Sequence, residues 1–393
     1  MAHDVEVAAD LGQRERRTPS WPIACAAVAA AVCCNFLAIG AVVPVIPRFV
    51  AESGVGSAAT LVGIAFAVTS VVALLSRPVG GRIAQQRGAR GVIAVGSLVA
   101  MGAGVAYLLP LGTGTVLMIA RLATGVAEAL VMTAGSVWVV ALAPAERRGR
   151  VIGWYGLAMW GGLTAGPVLG ELAYRFGGFS WTWLAAAFLP GLALLLLLSP
   201  TLRAVSGRPS AEPVSRQLMP RGAILPGLAL GAGGFGYACV MSFGALAMAE
   251  RGIGNGAMLL ALFSGAYVAV RLAGGWLPDR VGATTVILAA AIAEAGGLVL
   301  IAVGTNLVMV AIGAIVAGGG FSMLYPSLAV IAVESTPVAE RGATLGAVTS
   351  FLDLSIVVAG IAGGLVAGAG YPAVFGLAAI LALASCVAAL RRG

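Results

Sequence analysis

The sequence predicts an all-α polytopic membrane protein with twelve transmembrane helices arranged as two pseudo-symmetric six-helix bundles. Three observations predict it. Of 393 residues, 60% are apolar and only 10% charged, against about 25% charged in an ordinary soluble domain. The mean hydropathy of +1.02 is concentrated in long Ala/Val/Leu/Gly runs, most of them near the roughly 20 residues a helix needs to cross a bilayer. Two windows recur half a chain apart, the mark of a duplicated unit. The runs are uninterrupted, so they lack the alternating polarity of a spanning β-barrel strand.

In chain order, residues 1–20 mix four acids with three Arg and are too polar to insert, so they are expected to form a cytoplasmic tail. Apolar runs follow at about 22–47, 57–76, 91–110, 115–142, 151–173 and 181–199. The first is read as an uncleaved span, because Val32 is bulky where a cleavage site needs a small residue. Residues 201–221 carry three Pro and four Arg and form the expected cytoplasmic linker. A second six runs lie at about 222–248, 256–277, 284–303, 307–333, 343–367 and 371–390. The expected units are thus the tail 1–20, a bundle 21–200, the linker 201–221 and a bundle 222–393.

Repetition is visible in the connections. Arg77-Pro-Val-Gly-Gly through Gly88 aligns with Arg271-Leu-Ala-Gly-Gly through Gly282 at an offset of 194, with four identities. Pro144 through Gly153 aligns with Pro337 through Gly346 at an offset of 193, again with four. Parallel repeats of this kind place a site at the mid-membrane seam between the halves.

The net charge of +8 does not indicate nucleic acid. All 23 basic residues are Arg, and seventeen fall in the tail, the even-numbered connections and the C-terminus, against Arg48, Arg175 and Arg251 in the odd-numbered connections. That bias predicts both termini in the cytoplasm, in a bacterial cytoplasmic membrane. The five Cys lie inside spans without ligand spacing, and His3 stands alone in the tail, so no metal site and no cofactor are expected. Gly231-Ala-Gly-Gly-Phe-Gly236 formally matches a dinucleotide fingerprint, but it sits within a span with no preceding strand. The absence of a P-loop in the sequence points to an ion gradient as the energy source, and no enzymatic activity is expected.

The loop after span two, with Gly81, Gly88 and Arg90, resembles the signature loop of the major facilitator superfamily, and the resemblance extends over residues 21–390. It departs at Gln85 and Gln86, where that family has an acid and then a base. The equivalent loop after span eight keeps the acid, Asp279, followed by Arg280. The resemblance implies cytoplasmic gating through Gln85, Asp279, Arg148 and Arg341, with Asp279 latching near Arg148 and the Gln85 latch only hydrogen-bonded. Arg121-Leu-Ala-Thr-Gly125 is similar to the family's buried-arginine motif, and the stretch with Gly162, Gly166, Pro167 and Gly170 is similar to its antiporter motif, with Glu171 in place of the last glycine. Physically, those glycines allow close helix approach and Pro167 permits bending, so a plain helix contact remains an alternative.

A charge at the bilayer centre costs about 2.5–3.5 kcal/mol on insertion scales, so each one needs a partner or a purpose. Glu128 lies two turns from Arg121 on one helix face, about 10 Å away. Asp353, in span eleven, is the second acid. Proton coupling is expected to run through Glu128 as carrier, Arg121 as its modulator and Asp353 as a proton or substrate group; a pair that only ties helices together is the alternative. Glu294 is expected to serve packing or an oligomer contact. Asn35, Trp160, Tyr237 and Tyr267 are the expected cavity residues, with helix–helix bonding the alternative for Asn35 and an interfacial or packing role the alternative for the aromatics. Trp160 aligns with Asp353 at offset 193.

The resemblance implies a proton-coupled exporter of small apolar or amphipathic molecules, drugs or metabolites, working by alternating access as a monomer. Its partners would be a small-molecule substrate, protons and membrane lipid, with no nucleic acid. An uptake permease or uniporter of the same superfamily and a non-transporting receptor are the open alternatives.

Overall fold

The computed structural model describes residues 21–54, 57–109, 112–144, 147–205, 220–253, 256–337 and 341–390, except the side chains of 148–150, 279, 341–343 and 388–389. The described chain is a bundle of helices: α1 (Trp21–Val42), α2 (Ile46–Glu52), α3 (Ala58–Arg87), α4 (Ala89–Ala106), α5 (Thr113–Leu142), α6 (Arg148–Leu197), α7 (Pro200–Ala204), α8 (Arg221–Glu250), α9 (Gly256–Gly274), α10 (Leu277–Val281), α11 (Ala283–Val303), α12 (Leu307–Glu334), α13 (Arg341–Val366), α14 (Tyr371–Ala384) and α15 (Cys386–Leu390). Ten of its continuous segments are long and apolar enough to cross a membrane.

The twelve expected spans map onto these elements with local adjustments. Spans five and six run together as α6, whose two legs meet where Gly177 and Gly178 leave helical geometry, Gly178 at φ 67°. Span twelve is the 14-residue α14 continued by α15. The first run is divided between α1 and α2, and α3 continues eleven residues past the expected end at 76, to Arg87; elsewhere the apolar runs and the helices agree within a few residues, because the bilayer sets the length and a helix satisfies its own backbone.

The duplication is written in the backbone. Gly88 and Gly282, equivalent at offset 194, start α4 and α11 with φ 95° and 94° and ψ 134° in both cases, a conformation that glycine adopts at no steric cost. Helix pairing repeats as well: α3 packs on α5 as α9 packs on α12, and α1 packs along α6 as α8 packs along α13. Between the halves, α3 meets α13 and α6 meets α9.

Small residues bring these helices together, as expected where lipid removes the hydrophobic drive and van der Waals contact must supply association. Gly63 of α3 and Gly360 of α13 face each other backbone to backbone; a Cβ built on Gly63 would stand 3.0 Å from the Gly360 carbonyl carbon. This contact closes the seam at the end of the bundle that carries the start of α3.

Candidate functional site

The seam holds a three-membered charge cluster. Arg77 sits in the second half of α3, one residue before Pro78, which lacks an amide hydrogen and is tolerated inside the helix. Its guanidinium meets Asp353 of α13 side by side, Nη1 on Oδ2 and Nη2 on Oδ1, the latter at 2.9 Å. The same Nη2 lies 3.8 Å from Glu128 Oε1 of α5. Arg77 and Glu128 therefore belong to one half and Asp353 to the other, and the only cation within 4 Å of either acid among the described residues is Arg77.

Asp353 and Glu128 are the intramembrane acids expected from the sequence; Arg77 is not among the expected site residues. Its signal is nonetheless present, since an arginine inside a span requires a counter-charge. Arg121, expected to modulate Glu128 without touching it, makes no ion pair with it. Its Nε donates to the Ala65 carbonyl at 3.3 Å, and its guanidinium lies 4.6 Å from the centroid of Phe66. Sharing a helix face with Glu128 fixes its direction along α5 but not which neighbouring helix it meets.

A second cluster is aromatic. Trp160 of α6 lies with its ring centroid 4.4 Å from Tyr267 of α9 and 5.7 Å from Tyr237 of α8. Tyr237 stacks on Phe321 of α12 at 5.2 Å. The structure thus brings together Trp160, Tyr237 and Tyr267, and each such pair contributes about 0.5–1.5 kcal/mol beyond its buried area. Close by, the Thr164 hydroxyl donates to the Ser264 carbonyl at 3.2 Å, a hydrogen bond across the seam.

Asn35 is not part of this wall. It is buried, and its Nδ2 donates to Ser97 Oγ at 3.0 Å and to the Ala31 carbonyl at 2.9 Å, tying α1 to α4. This is the helix–helix bonding held as the alternative for Asn35. Gly162, Gly166 and Gly170 face α1: a Cβ on Gly166 would meet Gly40 Cα at 2.6 Å, and one on Gly162 would meet the Cys33 carbonyl oxygen at 2.7 Å. This stretch, with Pro167 inside the helix, works as a close helix contact within the first half. Glu171, just beyond it, pairs with Arg48 at 2.7 Å and Arg175 at 3.0 Å.

Of the gating residues, Gln85 is half-buried and makes no hydrogen bond among the described residues. The side chains of Asp279, Arg148 and Arg341 lie outside those described, as do residues 1–20 and 206–219. Glu294 is fully buried against α8 and α12, with neither carboxyl oxygen hydrogen-bonded among the described residues. Its enclosure within the second half removes the expected alternative of an oligomer contact. No group of three His, Cys, Asp or Glu able to hold a metal occurs among the described residues.

A family profile described as Major Facilitator Superfamily matches residues 28–256 and 227–392. The uncharacterized MFS-type transporter YhhS of Escherichia coli (strain K12) is 32% identical over 365 residues, covering 89% of this chain and 88% of its own. Among solved structures, a POT family transporter in complex with 5-aminolevulinic acid superimposes with a TM-score of 0.80 at 13% identity, over 96% of this chain and 98% of that one. A D-xylose-proton symporter does so with a TM-score of 0.75 at 15% identity, over 94% and 97%. At such identities the two structures speak for the fold alone.

Proposed function

The chain belongs to the major facilitator superfamily, a family of transporters rather than enzymes, and from that premise we propose that it is a proton-coupled exporter of small apolar or amphipathic molecules working by alternating access. The observation that carries the coupling is the bridge from Arg77 to Asp353 of the other half, with Glu128 as the second acid on the same guanidinium. A proton on Asp353 removes the charge that holds Arg77 across the seam. Glu128 then retains Arg77 within its own half, so the cation is never left unpaired in the membrane. The two halves are free to rock apart, and loss of that proton restores the bridge. In this scheme Asp353 is the principal proton site and Glu128 the resting partner of Arg77, which reverses the order of importance read from the sequence.

Export rests on the resemblance of the Gly162 to Gly170 stretch to an antiporter motif; the departure at Gln85 favours uptake as the second reading. Orientation rests on the Arg distribution, with both termini in the cytoplasm of a bacterial inner membrane. The deciding measurement loads proteoliposomes with a drug and metabolite library and follows each compound by mass spectrometry with and without an imposed pH gradient. Gradient-driven movement against the proton supports antiport. Movement with the proton establishes uptake, and flux indifferent to the gradient in every case overturns proton coupling.

A further inference from the structure

The two halves place an arginine at the same position of the repeat and surround it differently. Arg77 and Arg271 are equivalent at offset 194. The register of the neighbouring helix is fixed by contact. Gly125 of α5 is pressed against the Thr69 carbonyl, and Gly318 of α12 against the Phe263 carbonyl. Thr69 lies eight residues before Arg77, and Phe263 eight before Arg271. Glu128 follows Gly125 by three residues, as Phe321 follows Gly318. Phe321 therefore stands to Arg271 as Glu128 stands to Arg77. By the offset of 193 that relates the loops at Gly153 and Gly346, Trp160 occupies the place of Asp353.

Both acids that neutralise Arg77 are thus replaced by aromatic rings on the Arg271 side. Arg271 is only half-buried, and its Nη2 donates to the Tyr267 hydroxyl at 2.7 Å. Its guanidinium lies 5.3 Å from the Tyr267 ring centroid and 5.9 Å from that of Tyr325. No carboxylate comes within 4 Å of it among the described residues. Ring faces attract a cation but do not cancel its charge, so a full positive charge remains at the edge of the Trp160, Tyr237 and Phe321 wall.

We infer that Arg271 is the anion-binding group of the substrate site, and that the transported molecules are organic monoanions with an apolar or aromatic body. The carboxylate, sulfonate or phosphate monoester takes two guanidinium nitrogens. The body lies against the rings that Tyr267 joins to Arg271. The inference rests on the reading of the seam as the transport pathway, and it explains why two acids surround Arg77 and aromatic rings surround Arg271: one arginine answers to a proton, its twin to a substrate. An anion leaving the cell while a proton enters also draws on the membrane potential.

The test measures binding, which needs no gradient. The protein in nanodiscs is titrated with 1-naphthoate, 1-naphthamide and 1-naphthylmethylammonium, three probes with one ring system and charges of minus one, zero and plus one. The anion is expected to bind about tenfold more tightly than the amide, and the ammonium more weakly than either. Arg271→Gln is expected to bring the naphthoate affinity down to that of the amide while leaving the amide unchanged. Phe321→Glu, which recreates the Arg77 surroundings, is expected to do the same with the arginine in place. Equal affinity of the wild-type protein for the three probes, or no saturable naphthoate binding, overturns the inference; so does an anion preference that survives in either variant. Anion preference without gradient-driven flux sinks the proposed proton coupling and leaves this site standing, and the converse result does the opposite.

Discussion

Arg77 and Asp353, 276 residues apart in sequence, meet as a two-point ion pair across the seam between the halves. Both side chains are largely withdrawn from solvent, at 15% and 8% exposure. Removing one member of such a pair costs about 3–5 kcal/mol, because the other is left buried and unpaired. The two members are not equivalent here, since Arg77 has a second acid 3.8 Å away and Asp353 has no second cation within 4 Å among the described residues.

That asymmetry yields the first prediction. Arg77→Gln leaves two carboxyls facing one another and is expected to lower Tm markedly in detergent. Asp353→Asn leaves Arg77 with Glu128 and is expected to lower it by less than half as much. The double variant should be more stable than Arg77→Gln alone. Equal and additive effects of the two single substitutions would mean that the pair is not formed in the membrane.

The second prediction concerns closure at Gly63 and Gly360. A Cβ on Gly360 would stand 3.2 Å from Ala67 Cβ and 3.2 Å from the Gly63 carbonyl carbon, so a branched side chain there cannot be accommodated while α3 and α13 remain in contact. Gly360→Val is expected to wedge the seam open at that end. In a background freed of the five native cysteines, a cysteine at Ser264 should react at least severalfold faster with an impermeant maleimide added outside intact cells when Gly360→Val is present. An unchanged rate would show that the contact does not control access.

The third prediction separates structure from transport at Asn35. Its bond to Ser97 joins α1 to α4 inside the first half. Side-chain hydrogen bonds between membrane helices contribute about 0.6 kcal/mol on average and up to about 1.7 kcal/mol. A double-mutant cycle of Asn35→Ala and Ser97→Ala should return a coupling in that range, with substrate affinity unchanged in each variant. Loss of affinity in Asn35→Ala but not in Ser97→Ala would return Asn35 to the cavity.

The features legible in the sequence are those that the bilayer imposes. Span lengths, and the turn at Gly88 that recurs at Gly282, are local consequences of hydrophobic thickness and of backbone geometry. That Trp160, Tyr237 and Tyr267 are candidates for an apolar wall was accessible from residue type, though not which aromatics meet. Partnership was not. Arg77 finds Asp353 across more than half the chain, and no spacing rule encodes such a contact. Arg121 and Glu128 illustrate the converse, since a shared helix face specifies direction along one helix while the neighbouring helices decide what each side chain touches. The glycines of the Gly162 to Gly170 stretch are legible as permitting close approach, but the sequence does not name α1 as the partner.

The last prediction concerns Glu294, the buried acid outside the seam. It lies midway along α11 in a niche walled by glycine, where a Cβ on Gly236 would stand 2.8 Å from its Oε1 and one on Gly233 3.0 Å from its Oε2. Neither oxygen has a hydrogen-bond partner among the described residues. A buried polar group without a partner costs about 1–3 kcal/mol relative to one that is satisfied. Gln would preserve that cost, since its amide also needs partners. Met removes it at nearly the same length, and its flexible thioether adapts to an irregular niche. Glu294→Met is therefore expected to raise Tm, with gradient-driven transport unchanged because no residue of the Arg77 cluster touches this carboxyl. Gly236→Leu should lower Tm by filling the same space. A fall in Tm for Glu294→Met would mean that the carboxyl is bonded in the folded protein, and a selective loss of transport at unchanged Tm would add Glu294 to the proton pathway.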